Sequence, residues 1–222
     1  MNKRLIISGI LILACSIVLK LLFVAFKNIE IDDFHPASVI FVVDSSASNQ
    51  AKLAQEIEYL KSICNVLDPE DSIKILKVSE SSYLIYEGVP TDNSSINKTL
   101  AEFTKYDSSE YGTAYGEAIK KAFEHALNMK KEEYVPSIVV IGDLENEGDA
   151  AKQIDWETLP TNVENIKKYI PEISMMFVYA HPEKLDFVKT KLTPVLGEKK
   201  LIIVNEQTVA KSQRKLLEAI GR

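Results

Sequence analysis

The sequence lacks the residues on which several classes of protein depend. Its 222 residues include only two cysteines, too few for a disulfide framework. Cys15 lies inside an apolar run. Cys64 falls on the expected buried face of a helix, where we predict a small core residue rather than a nucleophile. The formal net charge is −6 and no basic stripe with interleaved aromatic residues is present, which argues against nucleic-acid binding because that needs a basic surface.

Histidine-based metal patterns, internal repeats and low-complexity stretches are also missing. The three histidines, His35, His125 and His181, are scattered and lack the spacing of metal ligands. The overall composition is that of an ordinary globular protein, with 46% hydrophobic and 26% charged residues. Without the N-terminal segment about 185 residues remain, which is enough for one well-buried domain and not obviously for two.

A hydrophobic run dominates the first 26 residues. Lys3 and Arg4 precede the run from Leu5 to Phe26, whose length suits a membrane-spanning helix of roughly 20 apolar residues. Lys20 interrupts the run near its outer third, where a long side chain can reach the interface. Basic residues before a span place the N-terminus in the cytoplasm, so the rest of the chain would face the periplasmic or extracellular side.

We therefore predict three parts of the chain. Residues 1–26 form the retained transmembrane anchor of a single-pass protein, residues 27–36 a polar linker, and residues 37–222 one folded domain. Two alternatives for the anchor stay open. One is a cleaved signal peptide, although no clear small-x-small cleavage site ends the run. The other is lipoprotein processing at Cys15, which the apolar residues beyond it disfavour.

Polar side chains follow the apolar run at residues 38–43. Asp44, Ser46 and Ser48 alternate along the chain directly after it. Alternate residues at a strand end point in a common direction, so one carboxylate and two hydroxyls can converge on one point. This turn contains no cysteine or histidine, and the cluster therefore suits a hard divalent cation better than zinc.

Two later segments are predicted to reach the same point. Thr113 follows Gly112 at the expected start of a helix that runs to about Met129, and Asp143 follows a second apolar strand near residues 138–142. In an open α/β sheet, ligands bind outside the carboxyl ends of the strands. The candidate metal-binding residues are therefore Asp44, Ser46, Ser48, Thr113 and Asp143.

This arrangement resembles the metal-ion-dependent adhesion site of von Willebrand factor type A domains. The first motif of that family, Asp-x-Ser-x-Ser, matches residues 44–48, and its Thr-x-x-Gly-x-Ala-Leu pattern resembles residues 113–119. The third motif, Thr-Asp-Gly, corresponds to Gly142-Asp143-Leu144, where both neighbours of the aspartate differ. The resemblance extends from about Pro36 to the end of the chain.

The resemblance implies a fold, a cofactor and a partner. The expected fold is an α/β, Rossmann-like three-layer sandwich whose mostly parallel sheet has one antiparallel edge strand. The expected ion is Mg²⁺, with Mn²⁺ or Ca²⁺ as alternatives. Ser46 and Ser48 would bind it through their hydroxyls, Thr113 directly or through water, and the two aspartates through water. The partner would be a protein that presents a Glu or Asp carboxylate, and no enzymatic activity is expected.

Alternating strands and helices are typical of such a sheet. The pattern at residues 53–67 predicts an apolar helical stripe, and residues 92–107 contain a short helix. A further helix closes the chain near residues 209–220. Besides the two strands above, we predict strands at residues 72–79, 82–86, 174–180 and 201–204.

The sequence leaves two other functions open. The unusual surroundings of Asp143 allow a vestigial metal site on a scaffold that binds partners through other surfaces. A metal-dependent hydrolase is disfavoured, because aspartyl phosphatases usually carry a second Asp where this chain has Ser46.

Residues around the site raise two further questions. Glu110, Glu145, Glu147 and Asp149 would surround it with negative charge, which either repels an incoming carboxylate or belongs to solvated loops. The aromatic residues Tyr111, Tyr115 and Trp156 are candidate anchors for a partner, or else ordinary packing under loops.

Overall fold

The computed structural model describes residue 20 and residues 35–103, 112–205 and 208–222. Within it, His35–Arg222 form one compact unit. Apart from Lys20, the predicted anchor at residues 1–26 lies outside the described residues, as does most of the linker, so both stay predictions. No helix among the described residues is long and apolar enough to span a membrane.

Six strands form a single sheet, in the spatial order β3-β2-β1-β4-β5-β6. All neighbouring strands are parallel except β2 and β3, which pair antiparallel. The mostly parallel sheet with one antiparallel edge strand, expected from the sequence, is thereby confirmed. The strands are β1 (Ala37–Asp44), β2 (Ser72–Val78), β3 (Ser82–Gly88), β4 (Val135–Ile141), β5 (Ser174–Val178) and β6 (Leu201–Val204).

Helices cover both faces of this sheet. Residues 39, 41 and 43 of β1 pack in a cluster with α1, α2 and α6, while residues 40 and 42 pack on the opposite face with α3, α4 and α5. Because both faces are buried, β1 is a continuous apolar run instead of an alternating one. The helices are α1 (Gln50–Cys64), α2 (Asn93–Phe103), α3 (Tyr115–Lys131), α4 (Leu159–Lys167), α5 (Pro182–Leu196) and α6 (Val209–Ala219).

The strand order places a topological switch point between β1 and β4. After β1 the chain adds β2 and β3 on one side, and β4, β5 and β6 follow on the other. Connections diverge at such a point and leave a crevice outside the carboxyl ends of the two strands. Asp44 ends β1, and Asp143 comes two residues after the end of β4. The fold therefore brings both predicted aspartates to one crevice.

The predicted boundaries that differ from the structure include the start of α3 and the end of the strand at residues 174–180. Helix α3 begins at Tyr115, not at Thr113. The backbone N–H of Thr113 donates to the carbonyl oxygen of Glu147 at 3.0 Å, and that of Ala114 to Ser79 at 2.8 Å, so these groups hold neighbouring loops in place. The strand predicted at residues 174–180 ends at Val178, because Tyr179 has a φ of +63°, outside the range of a strand.

A buried carboxylate joins the starts of β1 and β2 to the last residue of the chain. Asp71 accepts the backbone N–H of Ala37 at 2.7 Å and that of Asp68 at 2.8 Å. The guanidinium of Arg222 donates to both oxygens of the same carboxylate. Asp71 is fully buried, and a buried charge of this kind needs a paired cation.

We expect Arg222→Ala to lower the free energy of unfolding by about 2 kcal/mol, since it removes charge-assisted hydrogen bonds to a buried carboxylate. Urea denaturation followed by circular dichroism measures this. Arg214→Ala is the matched control, because Arg214 forms an i,i+4 pair with Glu218 and its side chain is 82% exposed. That change should cost less than about 0.5 kcal/mol. Equal losses in the two variants would contradict the role of Asp71.

Candidate metal site

Asp44 is the fixed centre of the candidate site. It is fully buried at the end of β1. One carboxylate oxygen, Oδ1, accepts the backbone N–H of Ser46 at 2.8 Å. The other, Oδ2, accepts the hydroxyl of Tyr115 at 2.9 Å. Both oxygens are thus oriented before any ion arrives.

The charge of Asp44 is only partly compensated. The pKa of Asp44 is raised from 3.8 to about 6. Burial is the largest cause and the negative charge of Asp143 adds to it, while hydrogen bonds from Ser46 and Tyr115 act in the opposite direction. Two carboxylates close enough to influence each other in a low-dielectric site favour a nearby cation. The electrostatics therefore fit a positive ion between the ends of β1 and β4.

Hydroxyl groups supply the other oxygen atoms. The Oγ atoms of Ser46 and Ser48 lie 3.1 Å apart. Ser46 is buried and Ser48 is exposed, so the pair opens to solvent on the side of Ser48. The hydroxyl oxygen of Thr113 is buried and has no hydrogen-bond partner among the described residues. Buried polar atoms nearly always have a partner, and a metal ion would satisfy this one.

Asp143 lies on the opposite side of the crevice and is buried. Its Oδ1 accepts the backbone N–H of Glu145 at 2.8 Å, and its backbone oxygen accepts the N–H of His181, just before α5, at 3.2 Å. The next residue, Leu144, has a φ of +61°. The loop after β4 therefore turns sharply and is held at both Asp143 and the start of α5.

Gly142 stands where the resemblance would place a threonine, and close packing restricts this position to glycine. Its φ is +144°, and a Cβ placed there would lie 2.5 Å from the Cβ of Asp44 and closer still to the hydroxyl oxygen of Tyr115. That tyrosine occupies the space instead and also accepts the backbone N–H of Leu144 at 3.3 Å. Tyr115 thus connects the Asp44 and Asp143 segments. Of the two interpretations given for Tyr115, a partner anchor or packing under loops, its full burial supports packing.

Sequence analysis missed a buried polar pair beneath the site. The amide of Asn49 donates to Oε2 of Glu56 at 2.7 Å and to the backbone oxygen of Asp44 at 3.1 Å. The pKa of Glu56 is raised from 4.5 to about 8, chiefly by burial and also by the charges of Asp44 and Asp143, while the hydrogen bond from Asn49 lowers it. The sequence did carry a signal of this burial, because Glu56 lies three residues after Leu53 and therefore on the apolar stripe of α1.

The acidic loop residues have separate roles. Glu145 pairs with Lys184 at 3.4 Å, and Asp149 caps the short 3₁₀ helix Ala150–Lys152. The carboxylate of Glu147 approaches the site, where its Oε2 accepts the hydroxyl of Ser48 at 3.5 Å.

The remaining candidates are placed less fully. Trp156 is half-buried and packs edge-on against Phe187, with 5.3 Å between ring centres. Glu110 and Tyr111 lie outside the described residues, so the roles suggested for them stay predictions.

The donor set consists of oxygen atoms. In the described part of the chain, no group of three or more His, Cys, Asp or Glu residues could hold a metal ion. The crevice relies instead on hydroxyls combined with two aspartates, a set that suits Mg²⁺, Mn²⁺ or Ca²⁺. The residues that could hold such an ion are those predicted from the sequence: Asp44, Ser46, Ser48, Thr113 and Asp143.

Comparisons with known proteins agree with this fold. Residues 39–146, just under half of the chain, match the family model described as von Willebrand factor type A domain. No curated protein matches the chain.

Solved structures with the same fold come from several organisms. A von Willebrand factor type A protein from Catenulispora acidiphila is 14% identical (TM-score 0.58), and the match covers 84% of this chain and 43% of that one. The pilus adhesin SpaC from Lactobacillus rhamnosus GG, in an open conformation, is 10% identical with a TM-score of 0.59, and the match covers 85% of this chain and 30% of that one. The manganese-loaded TRAP protein of Plasmodium vivax is 10% identical with a TM-score of 0.60, and the match covers 84% of this chain and 74% of that one. This chain thus spans less than half of the first two proteins. The fold is that of a von Willebrand factor type A domain.

Proposed function

We propose that residues 37–222 form a protein-binding module that depends on a divalent cation, and that residues 1–26 tether it to a membrane. Asp44, Ser46, Ser48, Thr113 and Asp143 would hold the ion, with Mg²⁺ as the first candidate. The observation that carries this proposal is the buried hydroxyl of Thr113. It lacks a hydrogen-bond partner among the described residues, and the backbone N–H of Thr113 is bonded to Glu147 in the loop that follows Asp143.

The charges of these residues favour binding over catalysis. When bound, the cation supplies an electrophilic point that an outside carboxylate can coordinate. Ser46 and Ser48 are neutral donors, so they leave much of its positive charge uncompensated. Tyr115 and the backbone of Ser46 already engage both oxygens of Asp44, which orients this carboxylate and does not leave it free as a nucleophile.

The partner would approach from the side of Ser48, which is exposed. A protein carrying a Glu or Asp at its contact surface suits this face, because a carboxylate is a preferred ligand of a hard cation. Among the structural relatives, one is loaded with manganese and another is a pilus adhesin, which supports a binding role. The proposed periplasmic or extracellular side rests on the basic residues before the predicted anchor.

We expect Asp44→Ala to weaken Mg²⁺ and Mn²⁺ binding at least tenfold, about 1.4 kcal/mol, because it removes a carboxylate that faces the ion. Isothermal titration calorimetry on the full chain measures this. A neutral detergent is required because the first 26 residues are apolar. Asp186→Ala, which removes an exposed carboxylate from α5, should leave the affinity unchanged. Unchanged cation affinity in Asp44→Ala would refute the site.

Capture of membrane-derived partners tests the binding role separately. The full chain should retain its partner in Mg²⁺ and release it in chelator, and Asp44→Ala should fail to retain it in either buffer. Capture that is undiminished by chelator would instead favour the scaffold with a vestigial site.

A further inference from the structure

The loop that follows Asp143 is anchored beside Thr113. The backbone oxygen of Glu147 accepts the N–H of Thr113 at 3.0 Å. A Cβ on Gly112 would lie 3.1 Å from that same oxygen and 3.1 Å from the Cα of Gly148. Backbone approaches backbone so closely here that Glu147 cannot be displaced without moving the Thr113 segment.

The far end of the same loop is also held. The side chain of Asn146 bonds to the backbone of Ile154 at 3.3 and 3.4 Å. Lys152 donates to the carbonyl oxygen of Glu80 at 3.0 Å. A Cβ on Gly116 would overlap the backbone carbonyl of Gln153. The position of Glu147 is therefore set by contacts on both sides of it in sequence.

The carboxylate of Glu147 stands on the open side of the hydroxyl pair. Its Oε2 is 3.5 Å from the hydroxyl of Ser48, and Ser46 and Ser48 are themselves 3.1 Å apart. Ser48 and Glu147 are both exposed. A hydrogen bond of 3.5 Å is too long to account for the placement of a charged group. No lysine or arginine within the described ranges forms an ion pair with Glu147.

We propose that Glu147 is an additional ligand residue of the candidate cation site, and that it competes with the carboxylate of a partner for the open face beside Ser48. This inference rests on the proposed function. It assigns to one residue of this chain the position that an incoming Glu or Asp would take.

With the two aspartates acting through water, a directly bound Glu147 changes what the site does. It adds negative charge next to the ion, which strengthens cation binding in the absence of a partner. Glu147 would also occupy the coordination position of the ion that an outside carboxylate needs. The partner's carboxylate must therefore displace Glu147 before it can bind. The module would then hold its cation tightly and accept only partners whose remaining contacts offset that displacement.

The test compares two variants that remove the same charge from the same loop. We expect Glu147→Gln to lower the Mn²⁺ affinity of the full chain by about five- to tenfold. Glu145→Gln, whose carboxylate pairs with Lys184, should stay within about twofold. Isothermal titration calorimetry in neutral detergent gives both values, and thermal unfolding by circular dichroism should be the same for both variants.

Acetate serves as the probe for an outside carboxylate. In Glu147→Gln, acetate should raise the Mn²⁺ affinity several-fold relative to chloride at equal ionic strength, because the vacated position accepts it. In the unmodified chain and in Glu145→Gln, acetate should have no such effect.

Two results would overturn the inference: equal losses of Mn²⁺ affinity in the two loop variants, or an acetate effect of the same size in all three proteins. If Asp44→Ala abolishes Mn²⁺ binding while Glu147→Gln leaves it intact, only this inference fails. If Asp44→Ala binds Mn²⁺ as well as the unmodified chain does, the proposed function fails.

Discussion

Replacing Gly142 with alanine is expected to destabilise the domain by about 4 kcal/mol. The new Cβ would lie 2.5 Å from the Cβ of Asp44 and would overlap the hydroxyl of Tyr115. Overpacking of this kind costs about 1–3 kcal/mol, and a backbone conformation reserved for glycine adds about 1–3 kcal/mol. Because both contacted residues belong to the candidate site, cation binding should be lost together with stability. Urea denaturation and calorimetry on the same preparation measure the two effects.

Gly197→Ala is the matched control for Gly142→Ala. Gly197 also has a positive φ, +78°, but a Cβ placed there meets nothing within 4 Å. Its replacement should cost about 1–2 kcal/mol from backbone strain alone and leave cation binding intact. If the two variants are equally stable, close packing between the β1 and β4 ends is not what restricts residue 142 to glycine.

Replacing Glu56 with glutamine is expected to stabilise the domain at alkaline pH. Burial raises the pKa of this carboxyl from 4.5 to about 8. The folded state therefore keeps the proton between these two values while the unfolded state has lost it. The unmodified protein must then lose stability as the pH rises from about 4.5 to 8. Glutamine has nearly the same shape and does not titrate, so it avoids this loss.

The advantage of Glu56→Gln should grow from near zero at pH 4.5 to as much as about 4 kcal/mol at pH 9. Free energies of unfolding from urea titrations across this range, all in chelator, provide the measurement. Glu58→Gln is the control, since Glu58 lies on the same helix with its side chain 72% exposed and pairs with Lys61. Its difference from the unmodified chain should stay flat with pH. A flat difference for Glu56→Gln would contradict a buried, protonated carboxyl.

Most of the sheet could be predicted because its signals are local. Continuous apolar runs of strand length predict β1 and β4, since polar and apolar residues need not alternate in a strand that is covered on both faces. The apolar stripe of α1 was equally visible. Helices α4 and α5 were not placed. Both carry proline in the first turn, at Pro160 and Pro182, a signal of a helix start that sequence analysis did not use.

The candidate ion-holding residues could be predicted from the sequence. The residues that contact and orient them could not. Asp44, Ser46 and Ser48 lie within five residues, so their spacing is a local property of one turn. Tyr115 and Glu56, in contrast, contact the Asp44 segment from other helices. Nothing in the immediate sequence neighbours of Tyr115 distinguishes a buried tyrosine beside a carboxylate from a tyrosine on the surface.

The amino-acid sequence by itself determined the six strands, the helices α1, α2, α3 and α6, the oxygen-bearing residues at the strand ends, and the hydrophobic character of residues 1–26. Those features depend on residue type and short-range spacing alone. Only the tertiary structure decided that Tyr115 connects the Asp44 and Asp143 segments, that Glu56 is buried beneath them, and that Glu147 lies beside Ser48. Each of these facts depends on a contact between residues more than five positions apart, and the packing of the sheet and its helices sets such contacts.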